Sequence, residues 1–302
     1  MSGAVELWLP AWDRFDPGHP LHRLLARADR LDPGPRGYLA GLAAWFDTAR
    51  PIPAGALTRE LAAHDAGGAG WLCADPAWIE PDMTGARLLA CGRMQLGVGD
   101  AEALAEPLRP LLEEQGMHLE LTTPDRWHLR LPAGTVLPDF PAPERALGED
   151  LLSHLPQGPQ GRRWRILQNE LQVLLHQHPL NARRRAAGYP PVNSLWLWGG
   201  GTLPTRVGTR LSGVVSGDPL LRALAARAGI VHRPRDAADD AFAAGPGWLV
   251  DLQDLPAASI ATEWWPAIDA LARRQPLHLN FASGERRLHR PWHRWRFWRS
   301  GT

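Results

Sequence analysis

Lysine is missing from the chain. All 33 basic residues are arginine, which rules out chemistry that needs a lysine Schiff base or the lysine of a phosphate-binding P-loop. Serine is missing between Ser2 and Ser153, so that stretch has no seryl nucleophile. Cysteine is scarce: Cys73 and Cys91 are too few and too far apart for a zinc ribbon or a disulfide scaffold, and they read as small core residues. The N-terminal MSGAVELWLPAWDRFD lacks the basic and apolar regions of a signal peptide. No apolar run approaches the roughly 20 residues of a membrane span, and a cytoplasmic protein is expected. Excess charge is missing too. A formal net charge of +1 gives no bulk attraction to nucleic acid or membranes.

A chain of 302 residues, 44% hydrophobic and 22% charged, can bury a sizeable core. Val5–Leu9 is a short apolar run stopped by Pro10, as expected of a buried first strand. Leu21, Leu24, Leu25, Ala28 and Leu31 suit a helix from near Pro20, and further helices are expected over 37–49 and 56–64. WLCAD and ARLLAC read as strands around a proline-containing turn. The next helix, from Asp100 to a stop at Gly116, precedes the strands MHLEL and RWHLRL. This β-β-α-β-β order predicts an inserted α+β subdomain, with proline-rich residues 132 to 161 as its exit linker. Beyond it come a helix over 162–176, a strand Val192–Trp198 opening on three glycines, and alternating strands and helices to a hairpin at Ser283-Gly284. Together these predict an α/β fold: a mainly parallel sheet flanked by helices, shared by Val5–Leu9 and the strands after 190. The expected organisation is 1–70 and 161–302 as the core, with 71–160 inserted.

Three groups of residues carry candidate chemistry. Asp13, Asp16, His19 and His22 recur every third residue at the end of the first strand, where carboxylates and imidazoles are common metal ligands. Pro17, Gly18 and Pro20 keep them off one helical face, and a solvated capping loop is the competing reading. The second group lies between Arg162 and Pro204. Asn169, Gln172 and His176 share a helix face; they either read a ligand's hydrogen-bonding groups or satisfy buried backbone. Asn181, Arg184, Asn193, Ser194, Trp196, Trp198, Gly199, Gly200 and Gly201 follow, with glycines that let the backbone approach a ligand or another chain segment. The third group is the tail. Arg290, Trp292, Arg294, Trp295, Arg296, Trp298 and Arg299 could stack on and pair with a nucleic acid, or cover the domain's own apolar surface.

NELQVLLHQHPLN and PVNSLWLWGGGTLP resemble the RpfE-type regulatory proteins of proteobacteria, as do WLCADPAWIEPD and the closing RWRFWR. HPLNARRRAAGYPPVNSLWLWGGG with SGVVSGDPLLRALAARAGI is similar to a segment of archaeal-type cofactor-independent phosphoglycerate mutases, of the alkaline phosphatase superfamily. That resemblance implies an alkaline-phosphatase-like α/β core with an inserted α+β domain. It also implies two divalent metals held by Asp and His, and a phosphorylated Ser nucleophile. Here AWDRFDPG stands where those enzymes have an Asp-Gly pair, GWLVDLQDLPAAS offers Asp251 and Asp254 without a histidine, and no early serine matches the nucleophile. Two-metal phosphoryl transfer needs the full set.

The reading is therefore a catalytically degenerate, mutase-like protein with a regulatory or ligand-binding role. No cofactor is expected. The partners expected are a small anionic or phosphorylated ligand, paired with Arg184, and a protein. The first alternative is a metal-dependent phosphomutase or phosphatase using Asp13, Asp16, His19 and His22. The second is a nucleic-acid-associated regulator working through the tail. A serine hydrolase is disfavoured because no G-x-S-x-G elbow is present.

Overall fold

The structure, a computed structural model, describes residues 3–83, 85–236 and 245–296. The chain forms two compact units, Met1–Thr48 with Arg206–Thr302 and, inserted between them in sequence, Ala49–Thr205.

The first unit is α/β. Five strands run parallel in the order Val231–Arg233, Gly213–Val215, Trp248–Asp251, Val5–Leu9 and Leu277–Phe281. Arg286–His289 and then Asp29–Arg30 extend the sheet antiparallel. The period-two alternation of the first strand decides what each face receives. Val5, Leu7 and Leu9 pack with Leu21, Leu24 and Leu25 of the helix Leu21–Arg27 and with Ile260, Trp264, Ile268 and Leu271. On the other face Trp8 stacks on Tyr38 at 5.9 Å and meets Trp45 edge-on at 5.0 Å, each pair adding about 0.5–1.5 kcal/mol beyond area burial. Gly41 lets the helix Tyr38–Trp45 approach, since a Cβ there would lie 2.7 Å from the Trp8 ring. Asp218 caps the helix Pro219–Arg227, accepting from the Leu221 amide at 2.7 Å.

The second unit is α+β, with five antiparallel strands. Gly70–Asp82 is central. Ser194–Thr202 runs along one edge of it; Arg126–Leu131 and Gly85–Cys91 share the other, with His118–Thr123 outside. The helix Gly158–His176 sends Trp164, Leu167, Leu171 and Leu175 into this unit's core.

Several expectations are corrected. The strand at 192–198 does not join Val5–Leu9; it begins at Ser194 and pairs antiparallel with Gly70–Asp82. Its unbroken apolar run suits any doubly buried strand, so periodicity could not choose its partner. The organisation expected, with breaks at 70/71 and 160/161, places both breaks inside the second unit, which also takes the helix Ala54–Ala63. Pro76 does not end a strand, because Gly70–Asp82 continues through it with a register shift at Trp78/Ile79. The helix expected from Asp100 instead starts at Val98 and is interrupted over Glu106–Leu108, where Pro107 lacks an amide to donate. A short helix, Leu180–Ala186, follows His178-Pro179 and had no counterpart in the sequence reading.

Candidate functional site

The three glycines serve packing between elements of the second unit. Gly199 adopts φ +63°, and a Cβ there would stand 2.5 Å from the Ala54 Cβ. Added Cβ atoms at Gly200 and Gly201 would meet Leu137 at 2.4 Å and Pro53 at 2.8 Å. The glycines thus admit Pro53 and the helix Ala54–Ala63, the chain-segment branch of the sequence expectation.

Three further residues of the predicted group bond to main chain. Asn181 is buried; its Nδ2 donates to the carbonyls of Leu175 and Val192, and its Oδ1 accepts from the Val192 amide, all at 2.8 Å. Asn193 does the work of a missing strand partner at the register shift, accepting from Ile79 N at 2.9 Å and donating to Ile79 O at 2.7 Å. Arg184, buried rather than open to an anion, donates to Pro190 O at 2.9 Å and Met94 O at 2.5 Å. Trp198 donates from Nε1 to the buried Asp75 at 2.8 Å, and His176 is exposed at the helix end.

Asn169, Gln172, Ser194 and Trp196 do come together. They line a cleft of about 320 Å³ whose other polar groups are Arg162, Arg165 and Gln168. This is the size of a small-metabolite site. Trp196 is held by Nε1 donating to Pro141 O at 3.0 Å. The Oε1 of Gln168 is buried without a hydrogen-bond partner among the described residues, so one acceptor in the wall has its bonding capacity unused. The arginines were missed by the sequence reading, although Arg162, Arg165, Asn169 and Gln172 follow the i, i+3, i+7, i+10 stripe of one helix face. Also missed was the buried polar core beside Trp198. Arg126 lies 2.9 Å from Asp75 and over the Trp198 ring at 5.3 Å. His128 bonds Thr58 at 2.7 Å and Thr122 at 2.6 Å. Its pKa is held down to about 3 by burial and then by Arg126 and Arg59. These residues are scattered over 58–198, and no local spacing announces them.

In the first unit, the carboxyl edge of the parallel sheet is where α/β proteins place ligands. Ser216 Oγ donates to Asp251 Oδ2 at 2.6 Å. Asp218 accepts from Tyr38 Oη at 2.7 Å in addition to its helix-capping bond. Arg235 grips Asp254 with two bonds, 2.6 and 3.2 Å, and also reaches the Asp251 carbonyl. Burial, followed by the nearby Asp218 charge, pushes the Asp251 carboxyl up to about 7. A raised carboxyl pKa means that the folded state binds the extra proton between about pH 4 and 7. Stability is therefore expected to fall as pH rises through that window, by at most one proton's worth, about 1.4 kcal/mol per unit. In urea titrations across pH, Asp251→Asn should flatten this slope; an unchanged slope would assign it to other groups.

The four early metal candidates do not form a donor set. Asp13 and Asp16 are exposed. His19 Nε2 donates to Ala257 O at 3.1 Å while its Nδ1 accepts from Leu21 N at 3.1 Å, and His22 Nε2 donates to Asp16 O at 2.9 Å. Among the described residues no three His, Cys, Asp or Glu side chains are grouped to hold a metal ion. The two-metal centre implied by the resemblance does not fit these residues. In the tail, Arg290 and Arg296 pair with Asp29 at 2.8 and 2.5 Å, and Arg296 lies over Trp292 at 4.5 Å. Arg294 covers Trp295, and both are exposed. Trp298 and Arg299 lie outside the described residues. No described helix is long and apolar enough to cross a membrane.

No protein-family model matches the chain. Over 70 residues it is 41% identical to a probable 2,3-bisphosphoglycerate-independent phosphoglycerate mutase of Geobacter sulfurreducens, covering 23% of this chain and 16% of that one. It is 35% identical over 63 residues to the 2,3-bisphosphoglycerate-independent phosphoglycerate mutase of Methanothrix thermoacetophila, covering 21% and 16%. The matched part thus spans about a sixth of these relatives. Among solved structures, the cofactor-independent phosphoglycerate mutase of Thermoplasma acidophilum superposes with a TM-score of 0.42 at 15% identity, over 96% of this chain and 90% of that one. Over part of its length the chain is a distant relative of these mutases.

Proposed function

We propose that this mutase relative is catalytically degenerate and acts as a cytoplasmic regulatory protein that binds a small anionic ligand, as the RpfE-type proteins resembled by its NSLWLWGGG stretch imply. The observation that carries the reading is the state of the sheet's carboxyl edge. Asp218, Asp251 and Asp254 are committed to Tyr38, Ser216 and Arg235, so Asp251 and Asp254, which stand where the resemblance implies metal-holding acids, serve internal contacts instead. Ligand binding is assigned to the cleft of the second unit. There Arg162 and Arg165 supply positive charge, the amides of Asn169 and Gln172 read hydrogen-bonding groups, and Trp196 forms an apolar wall.

A thermal-shift titration with 3-phosphoglycerate tests the cleft. The wild type should be stabilised, and the exposed Arg162→Ala should bind about 10-fold more weakly. Equal responses in the two proteins would remove the cleft from the proposal. The competing reading, a metal-dependent phosphomutase or phosphatase, rests on the names of the enzyme relatives. It requires bound Mn, Zn or Mg after metal-supplemented purification, whereas less than about a tenth of an equivalent would count against it.

A further inference from the structure

A second polar cleft, of about 470 Å³, lies in the first unit. It opens between the helices Leu21–Arg27 and Trp265–Arg274 and the turn after the last strand. The register pairs His289 with Leu277, at the amino end of the parallel strands and so opposite the Asp251 edge. Four guanidinium groups line it, those of Arg23, Arg27, Arg273 and Arg294, against one carboxylate, Asp269. Asp269 is taken by Arg273 at 2.5 Å. Among the described residues the Arg27 guanidinium has the Arg294 carbonyl as its hydrogen-bond partner, at 3.2 Å. Like charges gathered around one concavity repel one another, and an anion placed there relieves that repulsion.

The second observation is independent of this charge. His289 also lines the cleft and is only 6% exposed, yet its Nδ1 is buried without a hydrogen-bond partner among the described residues. A buried polar atom in that condition costs free energy until something bonds to it. Burial first, then the positive charge of His293 and Arg27, holds the ring's pKa down to about 4. At neutral pH the imidazole therefore keeps one N–H and one lone pair. Trp265 and Leu24 add an apolar wall.

We propose that this cleft binds a small phosphomonoester, its phosphate held by Arg23, Arg27, Arg273 and Arg294 and one of its oxygens bonded to His289. Such a phosphate can come from a free metabolite or from the headgroup of phosphatidic acid. The test is calorimetry of the full chain with inorganic pyrophosphate at low salt, with the His289 imidazole nitrogens followed by NMR. Wild-type protein should bind and shift the His289 resonances. The exposed double variant Arg23→Glu/Arg273→Glu should weaken binding at least about 10-fold. Arg162→Ala, in the other unit's cleft, should leave the His289 shift unchanged whatever it does to the total heat. Co-sedimentation with phosphatidic-acid vesicles that pyrophosphate reverses would identify a lipid source; pyrophosphate binding without vesicle binding would identify a free phosphate. Absence of the His289 shift overturns the proposal, as does a His289 shift that ignores the double charge reversal. If Arg162→Ala abolishes the heat and the His289 shift is absent, the anion sits in the second unit's cleft: this proposal fails while the proposed function stands.

Discussion

Gly199→Ala is expected to destabilise the second unit by about 3 kcal/mol, whereas Gly188→Ala costs about 1 kcal/mol. Both glycines occupy the left-handed region, at φ +63° and +81°, so the backbone penalty is shared. They differ in surroundings. A Cβ at position 188 meets nothing within 4 Å, while at 199 it stands 2.5 Å from Ala54 Cβ. The helix would have to move off the strand, and close-packed interiors resist such shifts. Urea unfolding followed by tryptophan fluorescence should separate the two variants; equal losses would show that the helix yields freely and that the glycines are not there to admit it.

Asn181→Ala should lower stability by about 2–4 kcal/mol, because one truncation strands the buried Val192 amide and carbonyl, while the Leu175 carbonyl keeps the His178 amide at 3.1 Å. Val192 is fully buried and Asn181 is 1% exposed, leaving water little access to replace the amide. The same chemical denaturation reads the effect, together with faster amide exchange at Val192 and the strand beyond it. A loss below about 1 kcal/mol would mean that water substitutes for the side chain. Both experiments bear on function as well as folding, because they test whether the dense polar run after Arg162 is spent on architecture.

That run is where sequence and structure part most clearly. Asn169, Gln172, Ser194 and Trp196 line one cleft as expected. Arg184, expected to meet an anion, is turned inward onto the carbonyls of Met94 and Pro190. The arginines that line the cleft, Arg162 and Arg165, stand two turns and one turn before Asn169 on the helix Gly158–His176. An arginine's sequence position does not say whether its guanidinium meets solvent or a carbonyl brought from 90 residues away. Histidines gave the same difficulty. The spacing of His19 and His22 invites a metal, yet a carbonyl at Ala257 and the local main chain claim their nitrogens, while His289, which no motif marked, has the nitrogen without a described partner.

By itself the sequence determined the local elements and their class. The apolar Val5–Leu9 strand, the helix over 162–176, the β-β-α-β-β order and the Ser283-Gly284 hairpin all follow from periods of 2 and 3.6 and from turn chemistry, which act over a few residues. Only the tertiary structure decided that Ser194–Thr202 pairs with Gly70–Asp82 and not with Val5–Leu9, where the two units divide, and which polar side chains face a cleft. Those outcomes depend on register and on contacts between residues 100 or more apart in sequence. A strand that buries both faces satisfies more than one sheet equally well until its glycines meet the one helix that fits against them.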